Sequence, residues 1–365
     1  MKKTADITII GSGIIGLLTA KELIQAGLSV TIIEKNAGSE ESSWAGGGIL
    51  LPLYPWRQKA AISDLVKQSL KLYPPLSEQL IKETQIDPEW YDCGLLISKN
   101  PDSDAAIQWC KNYKIKYHSA DASLFNNLNT EPQNPLWLPE IAQARNPRLL
   151  KSVKKFLLQQ KNVQFIENCA LTGISRQHNK ITTIKTTQGE FAVQHLLLAT
   201  GAWTGRLNEQ ILPSAMAIKV APVKGQMLLF EAQKGDLPYM VLDDNHYLIP
   251  RRDGKILVGS TVEKTEFDKF TTEKAKQMLE GFATTLMPML KNAPLIQHWA
   301  GLRPATEHGV PYIDNHPEIE NLSINAGHFR NGLVMAPASA QLMTDLILKR
   351  NPALDPKPYQ LTRID

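Results

Sequence analysis

Apolar residues at the start of the chain fall into short runs broken by glycine, and these predict strand, helix and strand in turn. Asp6–Ile10 reads as a short strand buried on both faces. The turn Gly11-Ser-Gly13-Ile-Ile-Gly16 follows, and from Ile14 to Ala26 the apolar positions recur at helical spacing and stop at Gly27. Ser29–Ile33 is a second strand that ends at Glu34. Further along, Leu171–Arg176, Lys180–Thr186 and Phe191–Gln194 predict a β-meander, with Gln188-Gly189 as a turn. A buried apolar strand from His195 then runs into Ala-Thr200-Gly201-Ala-Trp203. Tyr247–Arg251 and Lys255–Gly259 flank Asp253-Gly254, a strong hairpin signal. Alternation puts Tyr247, Ile249 and Arg251 on one face of that hairpin, and Leu248 and Arg252 on the other. A helix is expected over Thr272–Leu290, with Ala275, Met278, Leu279, Phe282 and Leu286 as its core stripe, and another after Pro337.

The first unit carries chemistry. Strand, glycine turn, helix and strand, closed by an acid, form a dinucleotide-binding pattern. Gly11 permits the tight turn, Gly13 lets a pyrophosphate reach the backbone, and Gly16 lets helix and strand pack closely. The helix N-terminus presents free N–H groups and its positive end to phosphate. Glu34 suits a free ribose 2′-hydroxyl, hence FAD or NAD rather than NADP. The segment from Glu41 through Ser42, Ser43 and the three glycines Gly46, Gly47 and Gly48 suits phosphate wrapping and close approach to a flat ring.

Composition narrows the class. At 365 residues the chain is long enough for about two domains. An apolar share of 43% and a charged share of 21% exclude wholesale disorder. With 40 Lys and Arg against 36 Asp and Glu, a net charge of +4 argues against a nucleic-acid partner. Cys93, Cys110 and Cys169 are far apart, so neither a metal site nor a redox dithiol is expected. Lys2 and Lys3 before an apolar run imitate a leader, but Asp6, Thr8 and Ser12 interrupt it, and no run reaches the ~18 residues of a membrane span. These features together predict a cytoplasmic protein.

Six segments carry a family resemblance that runs nearly end to end. They are Ile10–Gly16, Ser42–Gly48, Pro222-Val-Lys-Gly-Gln226, Tyr247-Leu-Ile-Pro-Arg251, Trp299-Ala-Gly-Leu-Arg-Pro304 and Gly327-His-Phe-Arg-Asn-Gly332. With these the chain resembles the D-amino acid oxidase group of flavoproteins, most closely the bacterial glycine oxidases of thiamine biosynthesis. The resemblance implies an α/β fold in which a Rossmann-like domain binding extended FAD is interleaved with an antiparallel-sheet substrate domain. Residues 1–85, 141–219 and 302–365 are expected in the first, and 86–140 and 220–301 in the second. It implies non-covalent FAD, because residues 303–314 lack the tethering cysteine of sarcosine oxidases. Cofactor contacts are implied for Gly11, Gly13, Ile14, Ile15, Gly16, Glu34, Lys35, Ser42, Ser43, Gly46, Gly47, Gly48 and Ile49. Ala170, Thr200, Gly201, Trp203 and the loop His328, Phe329, Arg330, Asn331, Gly332 and Leu333 complete that set. Ile49 stands where these oxidases often have methionine, so the substrate's side chain is left open.

By the same matching, Arg303 is the carboxylate-binding arginine, Tyr247 its partner and Arg330 a second pocket residue. Arginine suits that task because its planar fork makes two parallel charged hydrogen bonds. The implied reaction is hydride transfer from the α-carbon of a small amino acid to flavin. Dioxygen then serves as acceptor, with hydrogen peroxide as a product and no protein acid or base required. The helix after Pro337 is expected to aim its positive end at the flavin. A histidine in the loop, His328, is expected to make a backbone hydrogen bond rather than act as a base. Asp243, Asp244 and His246 read as solvated turn residues, and Trp299 as structural. Family members are often tetramers, so a homotetramer is expected. An amino acid dehydrogenase passing electrons to quinone and a tRNA-modifying flavin oxidase are the alternatives, and an NAD-dependent dehydrogenase is a further one.

Overall fold

The computed structural model describes residues 4–38, 40–211 and 218–363. Lys2 and Lys3 lie outside the described residues, as do positions 212–217 and 364–365 of the expected cofactor segments.

The N-terminal pattern folds as its periodicity predicts. Strand β1 (Ile7–Ile10), helix α1 (Ile14–Gln25) and strand β2 (Val30–Ile33) form one unit, with β1 buried along its length. β1 lies inside a six-stranded sheet between β2 and Leu196–Leu198. Val163–Ile166 flanks β2, and Leu322–Ala326 flanks Leu196–Leu198, all in parallel. Tyr312–Asn315 adds an antiparallel edge. A parallel sheet with apolar strands has to be covered on both faces. Helix α1 supplies part of that cover, packed with the helices Asn146–Leu158 and Gly332–Ile347.

The meander forms a separate three-stranded sheet, Leu171–Gln177, Lys180–Thr186 and Gly189–Ala192. Thr186 pairs with Gly189, so the turn residues are Thr187 and Gln188, and Gly189 opens the last strand. A nine-stranded sheet holds the expected substrate wall. Its longest strands, Val220–Phe230 and Leu295–Thr306, pair antiparallel along nearly their whole length. The second of these runs straight through residue 302, where a segment boundary was expected. The hairpin His246–Pro250 with Ile256–Gly259 lies alongside. One pair, Met240–Asp243 with Leu95–Ile97, is parallel, so the sheet is mixed rather than wholly antiparallel.

Two helices differ from expectation at their ends. The helix over 272–290 stops at Leu286 because Pro288 opens a 3-10 turn; Thr272 caps its start, accepting from the Ala275 N–H. Met278, placed in its core stripe, is 41% exposed, while Leu279 is fully buried. The last helix begins at Gly332, five residues before Pro337. A proline inside a helix removes the N–H that would bond the carbonyl four residues back. Here that carbonyl belongs to Leu333, and the buried Tyr73 hydroxyl donates to it instead. Tyr73 projects from α3 (Ala60–Thr84), a long helix that the pattern did not reveal, and Pro74-Pro75 lies inside it. Tyr73→Phe is expected to leave the Leu333 carbonyl without a partner and destabilise the fold by about 1–3 kcal/mol. A thermal melt of the variant checks this, and a wild-type Tm would show that the hydroxyl is dispensable.

Candidate functional site

A cleft enclosing about 390 Å³ runs from the carboxyl end of β1 to the nine-stranded sheet. At one end, Gly11 donates its N–H to Ile33 and adopts φ +105°; a Cβ there would lie 2.5 Å from the Ala199 carbonyl oxygen. Only glycine fits that turn. Gly13, Ile14 and Ile15 line the cleft beside it. Gly16 does not, because it packs against the Gly11 carbonyl, where a Cβ would lie 2.1 Å away. The buried Glu34 carboxylate accepts from the Ser12 N–H at 2.8 Å, the Ser12 hydroxyl at 3.0 Å and the Asn36 N–H at 3.3 Å. Lys35 pairs with Glu41 at 3.2 Å and sits 3.0 Å above the Trp203 ring; burial lowers its pKa.

The two serines behave differently from a free phosphate cradle. The Ser43 hydroxyl accepts the Ile14 N–H at 3.0 Å, and Ser42 donates to the Leu302 carbonyl. Both line the cleft from α2 (Ser42–Ala45). Next come Gly46, Gly47, Gly48 and Ile49. Gly48 has φ +89°, and a Cβ there would sit 2.0 Å from the Ala144 oxygen. Ala170, Thr200, Gly201, Trp203 and the run His328–Leu333 also line the cleft. Thus every expected site residue except Gly16 borders one cleft.

The far end holds the polar groups. Arg303 stands on Leu295–Thr306 and donates through Nη2 to the Ser260 hydroxyl at 2.7 Å. Its Nη1 donates to the carbonyls of Thr261 at 3.1 Å and Lys224 at 3.3 Å. Burial pushes its pKa down to about 10, opposed by the adjacent Tyr247, so it stays cationic at neutral pH. No carboxylate is among its hydrogen-bond partners in the described residues, and three acceptors leave part of its five-donor fork available. Tyr247 and Arg330 border the same space, and Arg330 Nη2 is buried with no hydrogen-bond partner among the described residues. Leu51, Leu53 and Met227 form an apolar wall. Such an end suits an anion with a small apolar body.

Several residues have other places than expected. His328 bonds the Ser339 hydroxyl at 2.8 Å, not a backbone group, and Ser339 donates on to Asn325. Burial pushes its pKa down to about 3, which keeps it neutral. Asp243 is buried, accepting from Ser98, Thr130 and Lys99, rather than solvated. His246 is half-buried and packs 5.0 Å from Phe282; only Asp244 is exposed. Trp299, by contrast, was expected to be structural, and it donates to the Ala45 carbonyl at 3.1 Å and meets Trp44 edge-on.

Asn146 was not foreseen. Its amide N–H donates to the Ser43 carbonyl at 2.6 Å, while Asn146 borders the cleft and its buried Oδ1 has no hydrogen-bond partner among the described residues. The only sign in the sequence is an Asn-Pro pair opening a helix. Unpartnered buried groups of this kind, together with the glycine cradle, suit a long polar guest such as an extended dinucleotide. Among the described residues no helix is long and apolar enough to cross a membrane.

Comparison with known proteins agrees with this geometry. The model of the DAO family, described as FAD dependent oxidoreductase, matches residues 6–346. The chain is 41% identical over 358 residues to the glycine oxidase of Pseudomonas aeruginosa, covering 97% of each. It is 31% identical over 359 residues to the bifunctional protein ThiO/ThiG of Synechocystis sp., covering 95% of this chain and 52% of that one. The crystal structure of glycine oxidase from Geobacillus kaustophilus superposes with a TM-score of 0.93 at 26% identity, covering 99% of each chain. With the cleft, its glycine turn and these matches together, the chain belongs to the DAO family of FAD-dependent oxidoreductases.

Proposed function

We propose that this FAD-dependent amino acid oxidase acts on glycine or another small amine-bearing acid, with sarcosine, D-proline and D-alanine as the other candidates. The observation that carries the reading is Arg303, a half-buried cation beside Tyr247 with no carboxylate among its hydrogen-bond partners in the described residues, bordering the cofactor cleft. Its fork holds the substrate carboxylate, Tyr247 assists, and Arg330 offers a second cationic contact. Leu51, Leu53 and Met227 line the same cleft and suit a small apolar side chain. Bound FAD supplies the two-electron acceptor that dioxygen regenerates. Glu34 and Lys35 would hold its ribose end, the glycine turn at Gly13 and Ile15 with the Ser42–Ser43 segment its pyrophosphate, and Gly46–Ile49 its ring. The His328–Leu333 run, which lines the same cleft, would also contact it. There the Gly332 helix begins, so its positive end faces the cleft without the displacement expected from Pro337.

For glycine or D-alanine, amino acid, dioxygen and water give 2-oxo acid, ammonia and hydrogen peroxide, the imine being the first product; sarcosine gives methylamine in place of ammonia, and D-proline gives a cyclic imine. Likeness to part of ThiO/ThiG supports a role in supplying that imine for the thiazole of thiamine. Purified protein is expected to release peroxide from at least one of the four acids with no added acceptor. Substrate-dependent reduction of a quinone without peroxide would instead favour the dehydrogenase, and a colourless protein that takes up no FAD would remove the reading altogether.

A further inference from the structure

We propose that Arg251 is a positioning residue that locks the strand bearing Tyr247 onto the glycine loop of the cofactor cleft; this rests on the reading of that loop as the flavin's seat. Arg251 is only 6% exposed, and burial pushes its pKa down to about 10. It therefore remains a cation, yet neither of its hydrogen-bond acceptors is an acid. Nη2 donates to the Gly47 carbonyl and Nη1 to Gln143 Oε1, each at 2.8 Å. A buried charge with neutral partners is costly to keep where an apolar side chain would fill the space. What an apolar residue lacks is a rigid, double-headed donor that reaches both acceptors at once.

The surroundings show what is being held. Gln143 is fixed in turn by the Pro250 carbonyl at 2.8 Å and the Tyr91 hydroxyl at 3.1 Å. The next carbonyl in the loop, Gly48, accepts from the Ala144 N–H at 2.9 Å. Two successive loop carbonyls are thus gripped from outside the cleft. Tyr247, Ile249 and Arg251 share one strand face, and all three converge on Gly47. A Cβ on Gly47 would meet Ile249 Cδ1 at 2.8 Å and Tyr247 Cε2 at 3.2 Å. The loop and the substrate wall therefore share one contact surface, with Arg251 as its latch. Arg251 itself is not among the residues lining the cleft, so its influence passes through Gly47.

The test uses the full chain loaded with FAD. Arg251→Met is expected to raise the FAD dissociation constant about tenfold and to alter the visible absorption bands of bound flavin. Arg251→Lys keeps the charge but reaches one acceptor, and is expected to recover part of both. If the latch works through Gly47, the double variant Arg251→Met with Gly47→Ala is no worse than the poorer single one. A wild-type spectrum and wild-type FAD affinity in Arg251→Met overturn the inference, as does strict additivity in the double variant. Should Arg251→Met fail to fold, Arg251→Lys carries the test alone, and wild-type values for both measurements overturn it. Wild-type protein that binds FAD but oxidises none of the four acids defeats the functional reading separately, since both readouts here concern FAD alone.

Discussion

Arg303→Lys is expected to leave FAD bound and to raise KM for the amino acid about ten- to a hundredfold. The lysine ammonium keeps the positive charge but not the fork, so one of two parallel charged hydrogen bonds to the carboxylate is lost, worth about 1.5–3 kcal/mol. The native guanidinium is held in place by Ser260, Thr261 and Lys224 and cannot be copied by a point charge on a flexible stem. Flavin absorbance reports that the cofactor is still present, and steady-state peroxide release reports KM. An unchanged KM would take Arg303 out of the substrate site.

Gly225→Ala is expected to cost at least as much without touching Arg303 itself. A Cβ at Gly225 would lie 2.1 Å from Arg303 Nη2 and 2.3 Å from Cζ and Nη1. Arginine ends usually swing aside from such a collision. Here the guanidinium is pinned by three acceptors, so moving it breaks all of those bonds and misplaces the fork. We expect kcat/KM to fall about a hundredfold with FAD still bound, since misplaced binding groups act on the transition state as strongly as missing ones. Combining Gly225→Ala with Arg303→Lys is expected to add little, because both act on one contact. Wild-type kcat/KM in Gly225→Ala would mean that the carboxylate is anchored elsewhere. The glycine in Pro222-Val-Lys-Gly-Gln226 thus has a physical reason: it is the floor on which the arginine lies.

Local pattern revealed what local physics decides. β1, α1 and β2 were legible because apolar spacing, a glycine turn and a terminal acid all agree within thirty residues. The hairpin was legible because Asp253-Gly254 sits between alternating strands. Its face alternation also placed Tyr247, Ile249 and Arg251 together. What pattern alone does not show is where that face lands. The Arg251 contact to Gly47 spans 204 residues of sequence, and the Asn146 contact to Ser43 spans 103. Asp243 looked like a turn acid because its partners Ser98 and Thr130 belong to segments more than a hundred residues away. The start of the last helix was misread for the same reason. Pro337 is a breaker by local rule, and only a hydroxyl from α3 makes it tolerable.

The strand order of the parallel sheet has a consequence for biosynthesis. β1 is made first, but its neighbour Leu196–Leu198 and that strand's neighbour Leu322–Ala326 emerge from the ribosome far later. The wall His328–Leu333 follows later still. Contacts of such long range form late and slowly. The crevice is therefore complete only after the His328–Leu333 segment has been made, and the earlier strands must start to fold without it.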